Sequence, residues 1–172
     1  TWEGHIVTTS PHVALLLSEK TPARVDLLGG TMIGRDCVGT DASLSEEALN
    51  MLYWDVTFMG VNAIDMERGI TAISRNCALM ERKIIDRGSK LVVMCDSSKF
   101  GTLSYAETGP VSMIDVLITD PGISPNDVVE LTSQGIKVVI ADAESSRVSG
   151  NGRKESNDGC NHGVGDGNHL SE

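Results

Sequence analysis

The clearest pattern along the chain is an apolar run that ends in a polar cluster, the segment from Lys90 to Gly101 (KLVVMCDSSKFG). Leu91–Met94 is continuously apolar, which is typical of a strand buried on both faces in a parallel sheet. Asp96, Ser98 and Lys99 follow closely, at the carboxyl end of that strand. Ligands bind at this edge in open α/β sheets. The segment therefore predicts a candidate site, although an ordinary strand followed by a solvated turn has the same pattern.

Similar apolar segments alternate with helical ones over most of the chain. Ser10 and Pro11 are an N-cap and first-turn pair for the first helix, and Ser43 or Ser45 is expected to cap the second. A turn at 67–69 leads through Ile70 towards the third helix, and 102–110 is expected to be a loop. The predicted strands are 5–8, 24–28, 55–61, 91–94, 114–119 and 137–141, and the predicted helices are 11–19, 44–52, 76–87 and 125–133. This alternation predicts an α/β fold with a mostly parallel, doubly wound sheet and right-handed crossovers.

The composition changes after residue 142. The segment 143–172 is rich in Gly, Ser and Asn and has no apolar periodicity. Such a segment cannot bury enough apolar surface to offset the entropy of ordering it. We therefore expect one domain over 1–142 and a flexible tail over 143–172.

Charge and cysteine content narrow the function further. The formal net charge is −10, so the surface repels phosphodiester backbones and the chain itself is a poor candidate for binding nucleic acid. No apolar run is long enough to span a bilayer, which predicts no membrane partner. The cysteines form no CxxC pair, so we expect reduced thiols in a cytoplasmic protein rather than a disulfide framework or a zinc site. These cysteines are Cys37, Cys77, Cys95 and Cys160.

Polar residues or glycines follow four of the predicted strands. The candidate ligand-binding residues are Thr9, Ser10, Gly29, Gly30, Asn62, Asp65, Asp96, Ser98 and Lys99. Hydroxyl groups, glycine amides and a lysine suit a small phosphorylated or polyhydroxylated molecule, with Lys99 meeting a phosphate as a point charge. Asp65 and Asp96 could accept hydrogen bonds from sugar hydroxyls. Gly29–Gly30 also suits a plain strand-to-loop transition, and Asp65 suits a turn.

Six segments, in order, resemble the C-terminal sensor (effector-binding) domain of DeoR-family bacterial transcription repressors. They are Val7–Ser10 (VTTS), Leu27–Thr31 (LLGGT), Phe58–Asp65 (FMGVNAID), Gly69–Thr71 (GIT), Asp96–Gly101 (DSSKFG) and Ile114–Asp120 (IDVLITD). They are spread from Gly4 to Ala141. The resemblance implies a ribose-phosphate-isomerase-like, CoA-transferase-like fold. It also implies that a phosphorylated sugar binds at the strand ends and lowers the affinity of the protein for operator DNA.

The sequence also departs from the family pattern. The helix-turn-helix domain of the family is absent, so we expect operator DNA to be contacted only through a domain outside this chain. The opening strand with its glycine-threonine phosphate loop is absent too, which predicts an incomplete site and one exposed sheet edge. Cys77 stands where the family often has an acidic residue, which favours binding over proton transfer. The likeness to symmetric repressors implies a homo-oligomer.

Two other functions stay open on the sequence. One is a sugar-phosphate isomerase or deaminase of the same fold, which would need a positioned general base such as Asp65 or Asp96. The other is a structural dimerisation module with an empty site. No catalytic residue set, no cofactor and no metal is predicted.

Overall fold

The computed structural model describes residues 3–33 and 39–141. The expected tail, together with Cys37 and Cys160, lies outside the described residues. The flexible tail therefore stays a prediction. Within the described part, no helix is long and apolar enough to cross a membrane.

Short strands and helices alternate along the described chain. In order they are β1 (His5–Thr8), α1 (Pro11–Lys20), β2 (Arg24–Leu27), β3 (Met32–Ile33), β4 (Gly39–Thr40), α2 (Glu46–Met51), β5 (Thr57–Met59), β6 (Ala63–Asp65), β7 (Gly69–Ala72), α3 (Arg75–Arg87), β8 (Leu91–Met94), β9 (Ala106–Gly109), β10 (Val116–Thr119), α4 (Pro125–Ser133) and β11 (Lys137–Ile140). Three single 3-10 turns cover Ser43–Ser45, Ser97–Lys99 and Val111–Met113.

The predicted α/β fold with a parallel sheet is confirmed. Four strands form a parallel sheet in the order β11-β10-β8-β5. The central strand β8 buries Leu91, Val92 and Val93, as its continuous apolar run indicates. Parallel neighbours need a crossover connection, which contains α3 between β5 and β8 and α4 between β10 and β11, whereas β8 and β10 are connected through β9.

The expectation of one continuous sheet is wrong. β1 and β2 form a separate parallel pair, and β6, β7 and β9 form a three-stranded antiparallel sheet. The turn expected before the third helix and the loop expected at 102–110 therefore contain strands β7 and β9. Neither has a long apolar run, because β7 reads GITA and β9 reads AETG. Their pairing is decided by tertiary contacts, which local propensity does not report.

Helix starts follow the sequence rules with one exception. The hydroxyls of Ser10 and Ser124 accept backbone N–H groups at the starts of α1 and α4, and Pro occupies the first turn of each helix. The expectation that Ser43 or Ser45 caps the second helix is wrong, because neither side chain makes a cap hydrogen bond. The Ser45 hydroxyl bonds to Gly29 instead.

The main core lies between the four-stranded sheet, the antiparallel sheet and α3 and α4. Its most deeply buried side chains are Ile64, Ile70, Val93, Leu117, Leu131 and Ile136. A smaller cluster of Leu28, Ala42 and Leu49 packs under the end of β2 against Met80 and Ile84 of α3. Both cores are aliphatic, and they hold the carboxyl ends of β2, β5, β8 and β10 in fixed positions.

Candidate functional site

The carboxyl ends of β1 and β2 are joined by residue Thr40. Its backbone N–H donates to the carbonyl oxygen of Thr9 at 2.8 Å. Its hydroxyl donates to the carbonyl oxygen of Leu28 at 2.5 Å. Ser10 is committed to capping α1, where its hydroxyl accepts the N–H of Val13 at 3.4 Å. The structure therefore brings Thr9 and Ser10 close to the Gly29–Gly30 segment, as the sequence predicts.

Gly29 and Gly30 differ in their surroundings. The Gly29 N–H donates to the Ser45 hydroxyl at 2.7 Å, so this amide has an internal partner. At Gly30 a methyl group would lie 2.2 Å from Oδ1 of Asp41 and 2.8 Å from the backbone nitrogen of Ala42. The chain can pass this close only where no Cβ is present. Gly30 is thus required by packing.

Asp41 organises the loop that packs against Gly30. Its Oδ1 accepts the backbone N–H groups of Thr31 at 2.8 Å and of Ser43 at 3.0 Å. These hydrogen bonds, those from Ser43 first, lower the pKa of the Asp41 carboxyl. The group is therefore a carboxylate at neutral pH, and it lies beside the glycine amides that the sequence offers to an anion.

The end of β8 forms a 3-10 turn over Ser97–Lys99. Asp96 caps the turn, because its Oδ1 accepts the Ser98 N–H at 3.0 Å and the Ser98 hydroxyl. The Ser98 hydroxyl is the main cause of a lowered Asp96 pKa, and the Lys99 cation lowers it further. Lys99 itself is half-buried. The predicted trio of Asp96, Ser98 and Lys99 therefore forms one compact corner.

Asp120, at the end of β10, belongs to the same corner and was not among the predicted site residues. Its Oδ1 accepts the Ser97 N–H at 2.5 Å, and its Oδ2 accepts the Ser97 hydroxyl at 3.0 Å and the Gly122 N–H at 2.9 Å. The N–H groups of Ser97 and Gly122 lower the pKa of Asp120. In sequence, Asp120 ends the family-like segment Ile114–Asp120 and begins an Asp-Pro-Gly turn, which by itself indicates only a local bend.

Cys95 lies between the apolar end of β8 and this acidic corner. Burial, followed by the charge of Asp96, raises the pKa of its thiol to about 11. The Cys95 backbone N–H donates to the carbonyl oxygen of Ile118 at 3.1 Å, which continues the pairing of β8 with β10. The thiol is thus a neutral, structural group under the site.

Asn62 lies near the corner that contains Asp96, Ser98 and Lys99. Gly60 follows β5, and a methyl group there would lie 3.8 Å from the carbonyl oxygen of Met94, so the ends of β5 and β8 are neighbours. Asn62 comes two residues later, and its side-chain oxygen accepts the Ile73 N–H at 3.3 Å. This bond ties the start of β6 to the end of β7.

Asp65 ends a strand of the antiparallel sheet, so the expectation that it follows a strand of the parallel sheet is wrong. Its Oδ1 accepts the N–H groups of Glu67 at 3.1 Å and Arg68 at 2.8 Å, which makes it the turn residue of the β6–β7 hairpin. The residues after it line a cleft with Gln134, at the end of α4 and before β11. This places the turn towards the amino ends of the parallel strands.

The predicted residues therefore form two groups. Thr9, Ser10, Gly29 and Gly30 lie at the ends of β1 and β2, while Asn62, Asp96, Ser98 and Lys99 lie at the ends of β5 and β8. Among residues 3–33 and 39–141, none of the hydrogen bonds joins one group to the other. Whether both groups contact one ligand stays a prediction.

The two carboxylates proposed as general bases accept hydrogen bonds that hold local turns. Asp65 and Asp96 each accept two hydrogen bonds from neighbouring residues. A third carboxyl, Glu81 on α3, has a pKa raised by burial, and it accepts the Thr108 hydroxyl at 2.5 Å. In the described part of the chain, no group of three His, Cys, Asp or Glu residues is placed to hold a metal ion.

These features define a parallel α/β domain with polar, hydrogen-bonded strand ends and a lysine at the end of its central strand. The family model described as the DeoR C terminal sensor domain matches residues 3–121. The chain belongs to this family, as the six sequence segments indicate.

Three relatives illustrate the match. The chain is 34% identical over 135 residues to an HTH-type transcriptional regulator, GlpR, of Haloferax volcanii, covering 77% of this chain and 51% of the relative. It is 28% identical over 134 residues to a putative aga operon transcriptional repressor of Escherichia coli O157:H7, covering 78% and 49%. It is 28% identical over 115 residues to the glycerol-3-phosphate regulon repressor of Escherichia coli K12, covering 67% and 45%.

The chain spans about half the length of the curated relatives that it matches. The named relatives are transcription regulators or repressors. The chain is accordingly a sensor domain of the kind found in such regulators.

Proposed function

We propose that this domain binds a phosphorylated sugar at the carboxyl ends of its parallel strands without turning it over. Binding controls the affinity for operator DNA of a helix-turn-helix domain in the same regulator, and the regulator is a homo-oligomer. The relatives support this proposal, since they include an HTH-type regulator and a glycerol-3-phosphate regulon repressor.

The observation that carries the proposal is the position of Lys99. It is half-buried at the end of the central strand, in a short turn that Asp96 caps. Neighbouring hydroxyl and carboxylate groups belong to Ser98 and Asp96. A lysine of this kind supplies a point charge to a phosphate, and the carboxylates can accept hydrogen bonds from sugar hydroxyls.

The charges of the corner also select among ligands. Asp96 and Asp120 are both ionised at neutral pH because their pKa values are lowered. Two carboxylates next to one lysine disfavour a highly charged anion such as a nucleotide polyphosphate. They favour a ligand with one phosphate and several hydroxyl groups, which matches the class that the strand-end residues suggest.

Binding without turnover is supported by the state of the candidate bases. A general base has to be available to the proton that it removes. Asp65 is bound in a hairpin turn, and Asp96 is bound in a cap. We therefore expect the domain to sense its ligand rather than convert it.

Thermal denaturation with a panel of sugars tests the proposal. Each phosphorylated sugar is compared with its unphosphorylated form and with inorganic phosphate. A true effector at a hundredfold its dissociation constant stabilises the folded state by about 2.7 kcal/mol. If no phosphorylated sugar raises the melting temperature, the structural dimerisation module is favoured instead.

A coupled assay on the same panel tests the absence of turnover. We expect every ligand that raises the melting temperature to be recovered unchanged. Isomerisation or deamination above the background rate would contradict the sensor and favour the enzyme of the same fold.

A further inference from the structure

Helix α1 differs from the other long helices because none of its residues is buried. By contrast, α3 buries Ala78 and Ile85, and α4 buries Leu131. Yet α1 reads PHVALLLSEK, and Leu15 is 63% exposed and Leu16 51% exposed. A helix that is apolar over most of its circumference is normally covered by other protein.

The surface beside α1 is apolar as well. A cleft of about 390 Å³ runs between the helix and β2, and Leu27 at its edge is 48% exposed. The cleft is lined by Pro11, Ala14, Leu15, Ser18, Val25 and Leu27. The helix and the cleft together form one exposed apolar face, which we call the α1 face.

The order of residues on α1 points to one kind of partner. His12, Leu15, Leu16 and Glu19 are spaced i, i+3, i+4 and i+7, so they share one side of the helix. All four are exposed. The midpoint between His12 and Glu19 is also the midpoint between Leu15 and Leu16. This pattern is complementary to itself when the helix is turned end over end.

We propose that two copies of the chain associate through the α1 face, with their α1 helices antiparallel across a twofold axis between Leu15 and Leu16. In that arrangement His12 of each copy faces Glu19 of the other, and Leu15 of each copy packs on Leu16 of the other. Both pairs occur twice, as an isologous interface requires. The opposite order, a parallel pair, would set His12 against His12 and Glu19 against Glu19.

The size of the face sets the strength of the association. A ten-residue helix is about 15 Å long. Even with the adjoining cleft, such a contact belongs to the smaller interfaces, below about 1,200 Å², which are weak or transient. We therefore expect a dimer that forms and dissociates with protein concentration.

The inference rests on the homo-oligomer of the proposed function, and it names the surface. That surface starts next to the candidate site, because Ser10 caps α1. Its test measures mass and is therefore independent of whether any sugar phosphate binds at Lys99.

Sedimentation equilibrium of the 172-residue chain tests the proposal. We expect a monomer–dimer equilibrium that Leu15→Asp and Leu16→Asp each weaken by at least about tenfold, because each buries an unpaired carboxylate against a leucine of the other copy. Val129→Asp is the matched control, since Val129 is a 70% exposed apolar residue on α4. It should leave the equilibrium unchanged.

A charge exchange gives the sharper test. His12→Glu and Glu19→Lys should each raise the dissociation constant, because the first sets two carboxylates against each other and the second removes the carboxylate that faces the His12 ring. The His12→Glu/Glu19→Lys double variant should recover most of the affinity. Circular dichroism checks that each variant keeps its fold.

Two results would overturn the α1 proposal in different ways. A chain that stays monomeric at every concentration contradicts both the α1 dimer and the proposed homo-oligomer. A dimer that persists unchanged in Leu15→Asp, Leu16→Asp and the single charge variants contradicts the α1 face alone.

Discussion

Asp120 and Ser97 join the ends of two neighbouring parallel strands through two hydrogen bonds. Oδ1 of Asp120 accepts the backbone N–H of Ser97 at 2.5 Å, and Oδ2 accepts the Ser97 hydroxyl at 3.0 Å. Because Ser97 opens the turn that carries Lys99, this pair fixes the position of the lysine relative to β10. The stability of the corner and its expected function are therefore linked through Asp120.

Replacing Asp120 should destabilise the domain. In Asp120→Asn one carboxylate oxygen becomes an amide nitrogen, so either Ser97 or Gly122 faces a donor in place of an acceptor. Denaturant unfolding should show a lower midpoint with an unchanged slope. Glu130→Gln, an exposed change on α4, is the control and should leave the midpoint where it is.

The loss of stability in Asp120→Asn should depend on pH. The pKa of Asp120 is lowered in the folded state. Its stabilisation is therefore present above the unfolded pKa of about 3.9 and is lost as the pH falls through the lower folded pKa. The gap in unfolding free energy between the native chain and Asp120→Asn should be largest near neutral pH and should close in strong acid. A gap that stays constant with pH would contradict this role.

Lys99→Ala should abolish ligand-induced stabilisation and leave the fold intact. Lys99 is half-buried at the end of β8 and outside the core clusters, so its truncation should remove the expected ligand contact without opening the core. Lys90→Ala is the matched control, because Lys90 is exposed directly before the same strand. The melting temperature with and without the effector measures both. A Lys99→Ala variant that stays folded and binds the effector with unchanged affinity would refute the assignment.

Gly30→Ala and Gly29→Ala should differ strongly although the residues are adjacent. A methyl group at Gly30 would lie 2.2 Å from Asp41 Oδ1 and against the backbone of Ala42, so we expect a loss of about 1–3 kcal/mol. At Gly29 the nearest atom, Oγ of Ser45, is at 3.8 Å, an ordinary contact. The Gly29 variant should stay within about 0.5 kcal/mol of the native chain in urea unfolding. Equal effects would contradict the packing described for Gly30.

Glu81→Gln should stabilise the domain near neutral pH. Burial raises the pKa of Glu81, so the ionised carboxylate opposes folding once the pH exceeds its folded pKa. The amide oxygen of glutamine can still accept the Thr108 hydroxyl. Melting curves should show the gain near pH 7 and a smaller one at about pH 4, where Glu81 is largely protonated in both states. A loss of stability at both pH values would contradict the destabilising role assigned to the ionised Glu81 carboxylate.

The sequence predicts the parallel strands better than the antiparallel ones. β8 and α4 are locally unambiguous, since one is a buried apolar run and the other opens with Ser124 and Pro125. β7 and β9 carry no comparable local pattern, and they pair across a long stretch of chain, Ile70 with Gly109. Tertiary pairing of this kind overrides local propensity.

The site residues also differ in how far the sequence predicts them. The cluster of Asp96, Ser98 and Lys99 is contiguous, so sequence alone assembles it. Asp120 acts on Ser97, which is 23 residues away, and only the register of β8 with β10 brings them together. The expectation that Asp65 lies at the edge of the parallel sheet is wrong, because a carboxylate after the apolar pair Ala63–Ile64 serves equally well in a hairpin turn.

The raised pKa of the Cys95 thiol lowers its reactivity towards oxidants. With a thiol pKa of about 11, roughly one molecule in ten thousand carries a thiolate at neutral pH. The thiolate is the form that attacks peroxides and other electrophiles, so this sulfur reacts slowly despite its place directly before the lysine turn. We therefore expect oxidants to leave the Cys95 sulfur unchanged, so that the corner proposed to bind the ligand is not altered through this thiol.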